Sequence, residues 1–567
     1  MGQRTVHTGQ LVVTEIVAVT VILAVTSGVP VGWLLGVPVA AALAVAAFGR
    51  WRRRWIFQWV GIGLRYATRP RAVPGGIPPG TDVAALELGG RGYGVVEDEY
   101  GMTGVLELGD PAGLLGDAPL AVPSPVALLP PTAPDIPGTH VQLLVSGAPG
   151  PAPRAAAGIP AASYRQLTEG RVAAYQRALL AVRVLRDDRG WSDDDLRRAL
   201  ASALRRVHRR LDQEGVPHRP VGYAATLAAF AELAGGTPVR ESWSGLDAGG
   251  LRQVSLRVRQ VAGLRAELAG QLVPRLLALP ATATTVSVAA SRAGVDVLVR
   301  IVVPNAAALP PAVRTLRRLL GSAGLAATRL DGEQLHGLAG TLPLGLVAEP
   351  APAGALATAR TELFPAGVVL GRNRRGVPVT ARLIRPEPTR VLVVGGVRVA
   401  ELLTLRALAL GVHVSVQTGR PYAWEPFLRA VSLPSAAIAL VPPDQPVTLP
   451  PGGPLAPQLI VVDVGPVRGE PDGAPWRTSV LVRDELTTAD LDPLARADLV
   501  ILQPLRPEEA ALAGATLGLG DGQEWLTRIR ADMVGMVNRR AVRFARLSPT
   551  PLEHQLIGSP ERATATS

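Results

Sequence analysis

The sequence opens with two apolar stretches, LVVTEIVAVTVILAVTS over Leu11–Ser27 and VGWLLGVPVAAALAVAAF over Val31–Phe48, separated only by the short connection GVP. Each stretch approaches the roughly 20 apolar residues that span a bilayer as a helix. An Arg-rich flank, GRWRRRW over Gly49–Trp55, follows the second stretch, and the connection carries no charge. Since basic residues concentrate on the cytoplasmic side, the pattern predicts a two-pass hairpin in the cell inner (plasma) membrane, with the N-terminus and the long remainder cytoplasmic.

Two other interpretations of this region remain open. A cleaved signal peptide would have a short apolar core and a small-residue cleavage site. Here, Glu15 interrupts the first stretch and the second follows at once. Two core helices of a soluble domain are the other alternative, but four tryptophans cluster where membrane interfaces would lie, as in an aromatic belt. These are Trp33, Trp51, Trp55 and Trp59.

Within the hairpin, two features predict packing against a partner or the membrane surface. Glu15 lies inside the first span, where a carboxylate is costly and pairs with a cation or reaches water near the helix end. Small residues recur at four-residue spacing in the second span, which lets another helix approach closely. These are Gly32, Gly36, Ala40 and Ala44, and the high glycine content offers chance as the alternative.

A basic aromatic segment follows the second span. The residues that we expect at the membrane surface are Arg50, Trp51, Arg52, Arg53, Arg54, Trp55 and Trp59. The pattern over Trp51–Arg69 predicts an amphipathic juxtamembrane helix with Trp55, Trp59 and Leu64 on one side, lying along the bilayer. Cations beside anionic lipid contribute about 1 kcal/mol each.

Composition limits the possible chemistry. The 58 basic residues are all Arg, and the net charge is +12 with a pI near 10.9. No basic run accompanies a recognition motif, so we predict no nucleic-acid partner. The chain has no Cys, which excludes thiolate catalysis and Cys-based metal sites. The seven His show no paired metal-ligand spacing and are interpreted as individual residues, so we predict no metal or cofactor.

The remainder predicts several α/β units, giving a membrane-anchored α/β protein with a transmembrane hairpin, a large cytosolic α/β region and a mostly parallel C-terminal sheet. The first unit, 1–71, holds the hairpin and juxtamembrane helix, and 82–153 holds a β-hairpin over Asp82–Leu108 and a Pro-rich connector over Pro111–Pro153. The next, 160–350, contains an internal repeat of a strand–helix series, and 360–567 is a C-terminal α/β domain. Ser192 is the predicted N-cap of the first helix of that series.

The C-terminal region alternates strands and helices from Val391 onward, which favours parallel strands. Its Gly395–Gly396 turn lacks the dinucleotide-binding fingerprint, and a P-loop is impossible without Lys. Asp490 and Asp492 resemble the metal clamp of sugar transferases, but the residues from Thr487 to Asp490 predict a helix start, where Asp is favoured by the helix dipole. No catalytic residue emerges.

A resemblance adds to this interpretation. The N-terminal hairpin and the Arg/Trp segment occur together with several sequence blocks: Ala162–Arg165, Gly371–Val379, Leu405–Val412, Thr418–Trp424 and Thr550–Glu553. Together they resemble EccE, the E component of actinobacterial type VII (ESX) secretion systems. The resemblance implies a non-enzymatic, scaffolding subunit of the inner-membrane secretion complex. It also implies assembly with membrane components B and D and with the FtsK-like ATPase component C.

An alternative of a different class is a membrane-tethered nucleotide-sugar transferase built on the C-terminal α/β domain. It requires Asp490 and Asp492 to act on a bound metal-nucleotide, whereas a scaffold tolerates their loss if the fold survives.

Overall fold

The computed structural model describes residues 49–562, apart from 52–53, 111, 132–134, 156–157, 171, 188, 432–436 and 466–472, and a few single residues before them. Those single residues are helical and exposed: Glu15, Ala18, Val19, Ile22, Thr26, Pro38, Ala41 and Val45. The rest of both predicted spans lies outside the described residues. Within the described part of the chain, no helix is both long and apolar enough to cross a membrane.

Strands dominate the first part of the chain. In chain order they are β1 (Arg50–Trp51), β2 (Arg54–Trp55), β3 (Ala72–Val73), β4 (Asp82–Leu88), β5 (Arg91–Asp98), β6 (Gly101–Leu108), β7 (Leu115–Gly116), β8 (Leu120–Pro123), β9 (Thr139–Pro149), β10 (Ala173–Leu185), β11 (His218–Pro220), β12 (Val239–Ser242), β13 (Gly245–Ala248), β14 (Leu251–Arg259), β15 (Ala283–Ser291), β16 (Gly294–Val303) and β17 (Ala326–Arg329). The helices among them are α1 (Ile56–Thr68), α2 (Pro125–Leu128), α3 (Ile159–Thr168), α4 (Asp193–Gln213), α5 (Tyr223–Ala234), α6 (Ala266–Ala269), α7 (Leu272–Leu277), α8 (Leu309–Ser322) and α9 (Gln334–Ala339).

Among the described residues, thirteen of these strands form one antiparallel sheet, the first sheet. Its centre is the pair β9 and β15, in which Val145 lies opposite Val286. From this pair the order runs β9-β10-β6-β5-β4 on one side and β15-β16-β14-β13-β12 on the other. The Pro-rich connector predicted over 111–153 thus contains the central strand β9.

The elements of the predicted repeat take corresponding places in the two sides. On the first side, β10 leads through α4 to β11, which pairs with β6, and then to α5. On the second side, β16 leads through α8 to β17, which pairs with β14, and then to α9. Helices α4 and α8 cover one face of the sheet, and α5 and α9 cover the other. The predicted division into four units stays a prediction.

The C-terminal part forms the second sheet. Its strands are β18 (Arg360–Leu363), β19 (Val368–Arg372), β20 (Pro378–Ala381), β21 (Thr389–Val394), β22 (His413–Thr418), β23 (Ile438–Val441), β24 (Gln458–Asp463), β25 (Arg477–Arg483), β26 (Leu499–Leu502), β27 (Met533–Asn538) and β28 (Ala541–Arg546), of which β18 pairs instead with β8. Its helices are α10 (Val397–Ala409), α11 (Pro421–Val431), α12 (Leu491–Arg496), α13 (Pro507–Leu517), α14 (Gln523–Arg528) and α15 (Pro551–Ile557).

The second sheet is mixed, so the prediction of a mostly parallel C-terminal sheet is wrong. Within the described residues the order is β23-β22-β24-β25-β21-β26-β27-β28-β19-β20-β7, parallel as far as β26 and antiparallel from there. Parallel strands need a crossover, and α10 to α12 provide several of these. A tight turn at Arg539, with φ of 58°, instead joins β27 to β28. Short connections of this kind make strands antiparallel.

Helix α10 is the centre of the C-terminal packing. Nearly every side chain from Val399 to Ala409 is buried, which is typical of a helix with neighbours on all sides. It lies on one face of the second sheet with α3, α11 and α15, while α12, α13 and α14 cover the opposite face.

Candidate functional site

The residues predicted for the membrane lie mainly outside the described part of the chain. Gly32, Gly36, Ala40, Ala44, Arg52 and Arg53 are not described, and Glu15 is helical and exposed. The continuous juxtamembrane helix predicted from Trp51 is replaced by a short hairpin of β1 and β2, in which Arg50 lies opposite Trp55 and Trp51 opposite Arg54. Helix α1 begins only at Ile56, directly after its N-cap Trp55.

One face of α1 docks on the first sheet. The Trp59 ring lies 6.1 Å from the ring of Trp243, which sits in the turn between β12 and β13, and the Tyr66 ring meets Trp243 edge-on at 5.2 Å. Ile62 is buried between these rings and Gly332. Gly332 has φ of 72°, and an added Cβ would lie only 2.7 Å from Ile62. The close approach of helix and turn therefore requires glycine at this position.

An ion pair fixes the C-terminal end of α1 to the first sheet. Arg69 Nη2 donates to both carboxylate oxygens of Glu241, at 2.8 and 2.9 Å, and to the carbonyl of Gly332 at 2.8 Å. The Glu241 side chain has no solvent exposure, and it also accepts from the Leu335 amide. Residues just beyond Arg69 then add β3 to the edge of β12, with Val73 opposite Val239. The sheet thus holds the segment that leads to the predicted hairpin.

The opposite face of α1 exposes apolar side chains. Val60 is 62% exposed and Leu64 is 66% exposed. Trp59 and Leu64 were predicted on one side of the helix, but five residues turn an α-helix by about 140° beyond a full turn. Trp59 therefore lies against the protein and Leu64 points away from it.

A second candidate region is the edge where the parallel strands of the second sheet end, because ligands of open α/β sheets bind there. Asp463 at the end of β24 could in principle hold a metal-nucleotide. Its carboxylate instead accepts from Arg420 (2.7 Å), the Trp424 indole (2.9 Å) and the Thr418 hydroxyl (3.0 Å). These groups neutralise the charge and fill the hydrogen-bonding positions.

The turn after β21 is also filled by groups of this chain. The Gln503 side chain accepts from the Gly396 amide at 3.0 Å and donates to the Pro560 carbonyl at 2.6 Å. The C-terminal residues Gly558–Arg562, the C-terminal strap, cross this edge. Arg562 anchors the strap through two hydrogen bonds to Glu509, at 2.6 and 2.8 Å, and others to the carbonyls of Asp484 and Pro504.

The two aspartates of the transferase alternative do not converge. Asp490 is buried, caps a helical turn at Thr487 and pairs with Arg483 at 2.6 Å. The helix start predicted at Thr487–Asp490 is therefore confirmed. Asp492 is exposed on α12 and pairs with Arg496 on the same helix. Among the described residues, no group of three or more His, Asp or Glu side chains is arranged to hold a metal ion.

Two histidines that we predicted to be individual residues lie together. His208 Nδ1 and His218 Nε2 are 2.6 Å apart, and Arg91 Nη1 lies 2.7 Å from the same His208 nitrogen. The Tyr93 hydroxyl lies 2.5 Å from His208 Nε2. Burial, Arg91 and His218 lower the pKa of His208 to about 4. Ten residues and a helix end separate the two histidines, so no local spacing signals their contact.

Several sequence blocks that carry the family resemblance meet around α10. Arg406 of α10 pairs with Glu553 of α15 through two hydrogen bonds of 2.9 Å, both side chains being buried. Arg406 also donates to the carbonyls of Val369, Leu370 and Leu547. The Ser163 and Thr550 hydroxyls lie 2.7 Å apart. These buried contacts are structural.

The comparisons with known proteins identify a family over part of the chain. Residues 176–258 match the family described as "Putative type VII ESX secretion system translocon, EccE". This segment runs from β10 to β14 and contains Glu241 and Trp243, which hold α1. A search of curated proteins gave no match.

Solved structures share only a limited likeness. The genome packaging NTPase B204 from Sulfolobus turreted icosahedral virus 2, in complex with AMPPCP, is 11% identical with a TM-score of 0.21, covering 28% of this chain and 97% of its own. The DNA-packaging ATPase B204 from Sulfolobus turreted icosahedral virus is 9% identical with a TM-score of 0.22, covering 28% and 97%. The sequence match over residues 176–258 confirms the predicted resemblance to the EccE family.

Proposed function

We propose that this chain is a non-enzymatic structural subunit of the inner-membrane type VII (ESX) secretion complex, assembled with components B and D and with the FtsK-like ATPase component C. The family match supports a translocon component. The observation that carries the scaffolding role is the docking of α1, because Arg69, Ile62 and Trp59 fix the segment next to the predicted hairpin onto the first sheet.

In this proposal the hairpin spans the plasma membrane twice, with the N-terminus and both sheets cytoplasmic. Glu15 and the small residues from Gly32 to Ala44 pack against neighbouring subunits. The cations and tryptophans from Arg50 to Trp55 lie near the lipid headgroups, Trp59 stays docked on Trp243, and Val60 and Leu64 face the bilayer surface. The docked helix then sets the angle between the cytoplasmic sheets and the membrane.

At the ends of the parallel strands, side chains of this protein fill the positions that a ligand would take, which supports a non-enzymatic role. Arg420 and Trp424 saturate Asp463, and Gln503 with the C-terminal strap covers the Gly395–Gly396 turn. A nucleotide-sugar transferase would need this edge open and two convergent carboxylates.

The test is purification of the tagged full-length protein from its native membrane in mild detergent, followed by size-exclusion chromatography. We expect co-elution with an FtsK-like ATPase and a polytopic membrane partner. A Trp243→Ala variant, which removes the ring under α1, should lower the assembled fraction, whereas Arg292→Ala in an exposed hairpin should not. A solitary particle that binds a nucleotide sugar would overturn the proposal.

A further inference from the structure

Strand β17 forms one wall of an open groove. Within the described residues β17 pairs only with β14, with Thr328 opposite Arg257 and Ala327 opposite Val258. Its other edge borders a groove of about 650 Å³. The lining residues are Trp59, Arg317, Leu325, Ala326, Ala327, Thr328, Arg329 and Asp331. A strand edge beside a groove offers backbone N–H and C=O groups to a further strand.

The corresponding strand on the other side of the first sheet already has a neighbour. Arg219 of β11 forms an ion pair of 3.0 Å with Glu387, which lies between β20 and β21 of the second sheet. At β11 an acidic residue of this chain thus meets an Arg side chain. The place beside β17 is open among the described residues, and it also presents Arg side chains.

The charge of this groove favours an acidic occupant. Helix α8 contains no Asp or Glu and exposes Arg314, Arg317 and Arg318. Among the described residues, no carboxylate forms an ion pair with any of these three guanidinium groups, whereas Arg329 pairs with Asp331. Arg317 lines the groove directly. Carboxylates form the strongest hydrogen bonds with guanidinium groups.

We propose that an extended acidic segment of a partner subunit adds to β17 as a further strand. Its backbone pairs with the free edge of β17, one carboxylate meets Arg317, and an apolar side chain lies against the Trp59 ring. This inference rests on the proposed membership in a membrane complex. It also gives the docking of α1 a second role, because Trp59 holds the wall of the groove while it contacts Trp243.

The test is photo-crosslinking in the native full-length complex. A photo-reactive amino acid with a benzophenone side chain replaces Thr328 in one variant and the exposed Arg317 in a second. The second variant keeps the test valid if the substitution in the strand impairs folding. A third variant carries it at Arg292 as a control. We expect the two groove positions to link to a peptide of another subunit that contains Asp or Glu, identified by mass spectrometry. Charge reversal by Arg317→Glu should lower the yield from Thr328 about tenfold, while Arg292→Glu leaves it unchanged.

Several outcomes would overturn the inference. If the complex assembles but neither groove position links to a partner, the proposed function stands and the groove does not hold a partner strand. Links only to lipid, to a second copy of this chain, or to a peptide without acidic residues would also contradict it. If the protein does not assemble with any partner, both the proposed function and this inference fail.

Discussion

Arg69 is the residue on which the docking of α1 depends most. Its removal would leave the fully buried Glu241 carboxylate with one backbone donor, and breaking a buried pair in this way costs about 3 kcal/mol. We therefore expect Arg69→Ala to lower the free energy of unfolding of the full-length protein in detergent by about that amount. Arg65→Ala is the matched control. Its contact with Glu333 is 3.7 Å and largely exposed, so a loss under about 1 kcal/mol is expected. Equal effects would contradict the assignment.

His208 gives the protein a pH dependence at a single residue. The folded pKa of about 4 lies below the ordinary value of 6.5 because His208 is buried beside Arg91 and His218, with Asp212 opposing the shift. Between pH 4 and pH 6.5, His208 is therefore protonated in the unfolded chain and neutral in the folded protein. The contribution of neutral His208 to stability is complete above pH 6.5 and is lost as the pH falls toward 4. His208→Gln should flatten denaturant-measured stability over this interval, whereas His554→Gln, at an exposed position of α15, should keep the slope.

At the scale of elements, local signals located helices and parallel strands well. Ser192 caps α4 as expected, with Asp195 completing the capping box. The strand–helix alternation predicted from Val391 onward is likewise present, from β21 to β26. Strands such as β9 and β27 were missed because their pairing partners are distant in sequence. Partner choice, not local propensity, decides such strands.

The C-terminal strap is an element that only the fold explains. Burial alone would raise the pKa of Glu509, but hydrogen bonds from Arg562 and from two backbone amides lower it to about 2. The ion pair is therefore complete above the ordinary carboxyl pKa and is lost as pH falls toward 2. Arg562→Ala should release the strap, making the residues after Ile557 more sensitive to limited proteolysis at neutral pH. Glu561→Ala, an exposed neighbour, should not, and unchanged cleavage in the Arg562 variant would contradict the anchoring role.

At the scale of the whole molecule, the candidate site was only partly predictable. The aromatic and basic residues near Trp59 were recognised in the sequence, but their docking partners Glu241, Trp243 and Gly332 lie far along the chain. Arg69 and Glu241 are 172 positions apart in the chain, and Arg69 and Gly332 are 263 apart, so no local spacing rule connects them. Long-range strand order brings them together. The prediction of a mostly parallel C-terminal sheet was wrong for a related reason. The strand–helix alternation from β21 to β26 was visible, whereas β19, β20, β27 and β28 extend the same sheet through short hairpins.

Variants of the two aspartates considered for a transferase distinguish a catalytic role from a structural one. Asp492 is exposed and pairs only with Arg496 on its own helix, so Asp492→Ala should leave the fold, complex assembly and substrate secretion at wild-type levels. Asp490→Ala should destabilise the protein by about 3 kcal/mol, because Arg483 would lose its buried partner and Thr487 its cap.

Measuring secretion and thermal stability together distinguishes the two roles. A scaffold predicts that secretion follows the folded fraction in both variants, with Asp492→Ala unaffected. A catalytic clamp needs both carboxylates, so it predicts complete loss of activity in Asp492→Ala with a stable fold. Loss of secretion in the stable Asp492 variant would therefore reject the scaffold, since no structural contact of that residue accounts for it.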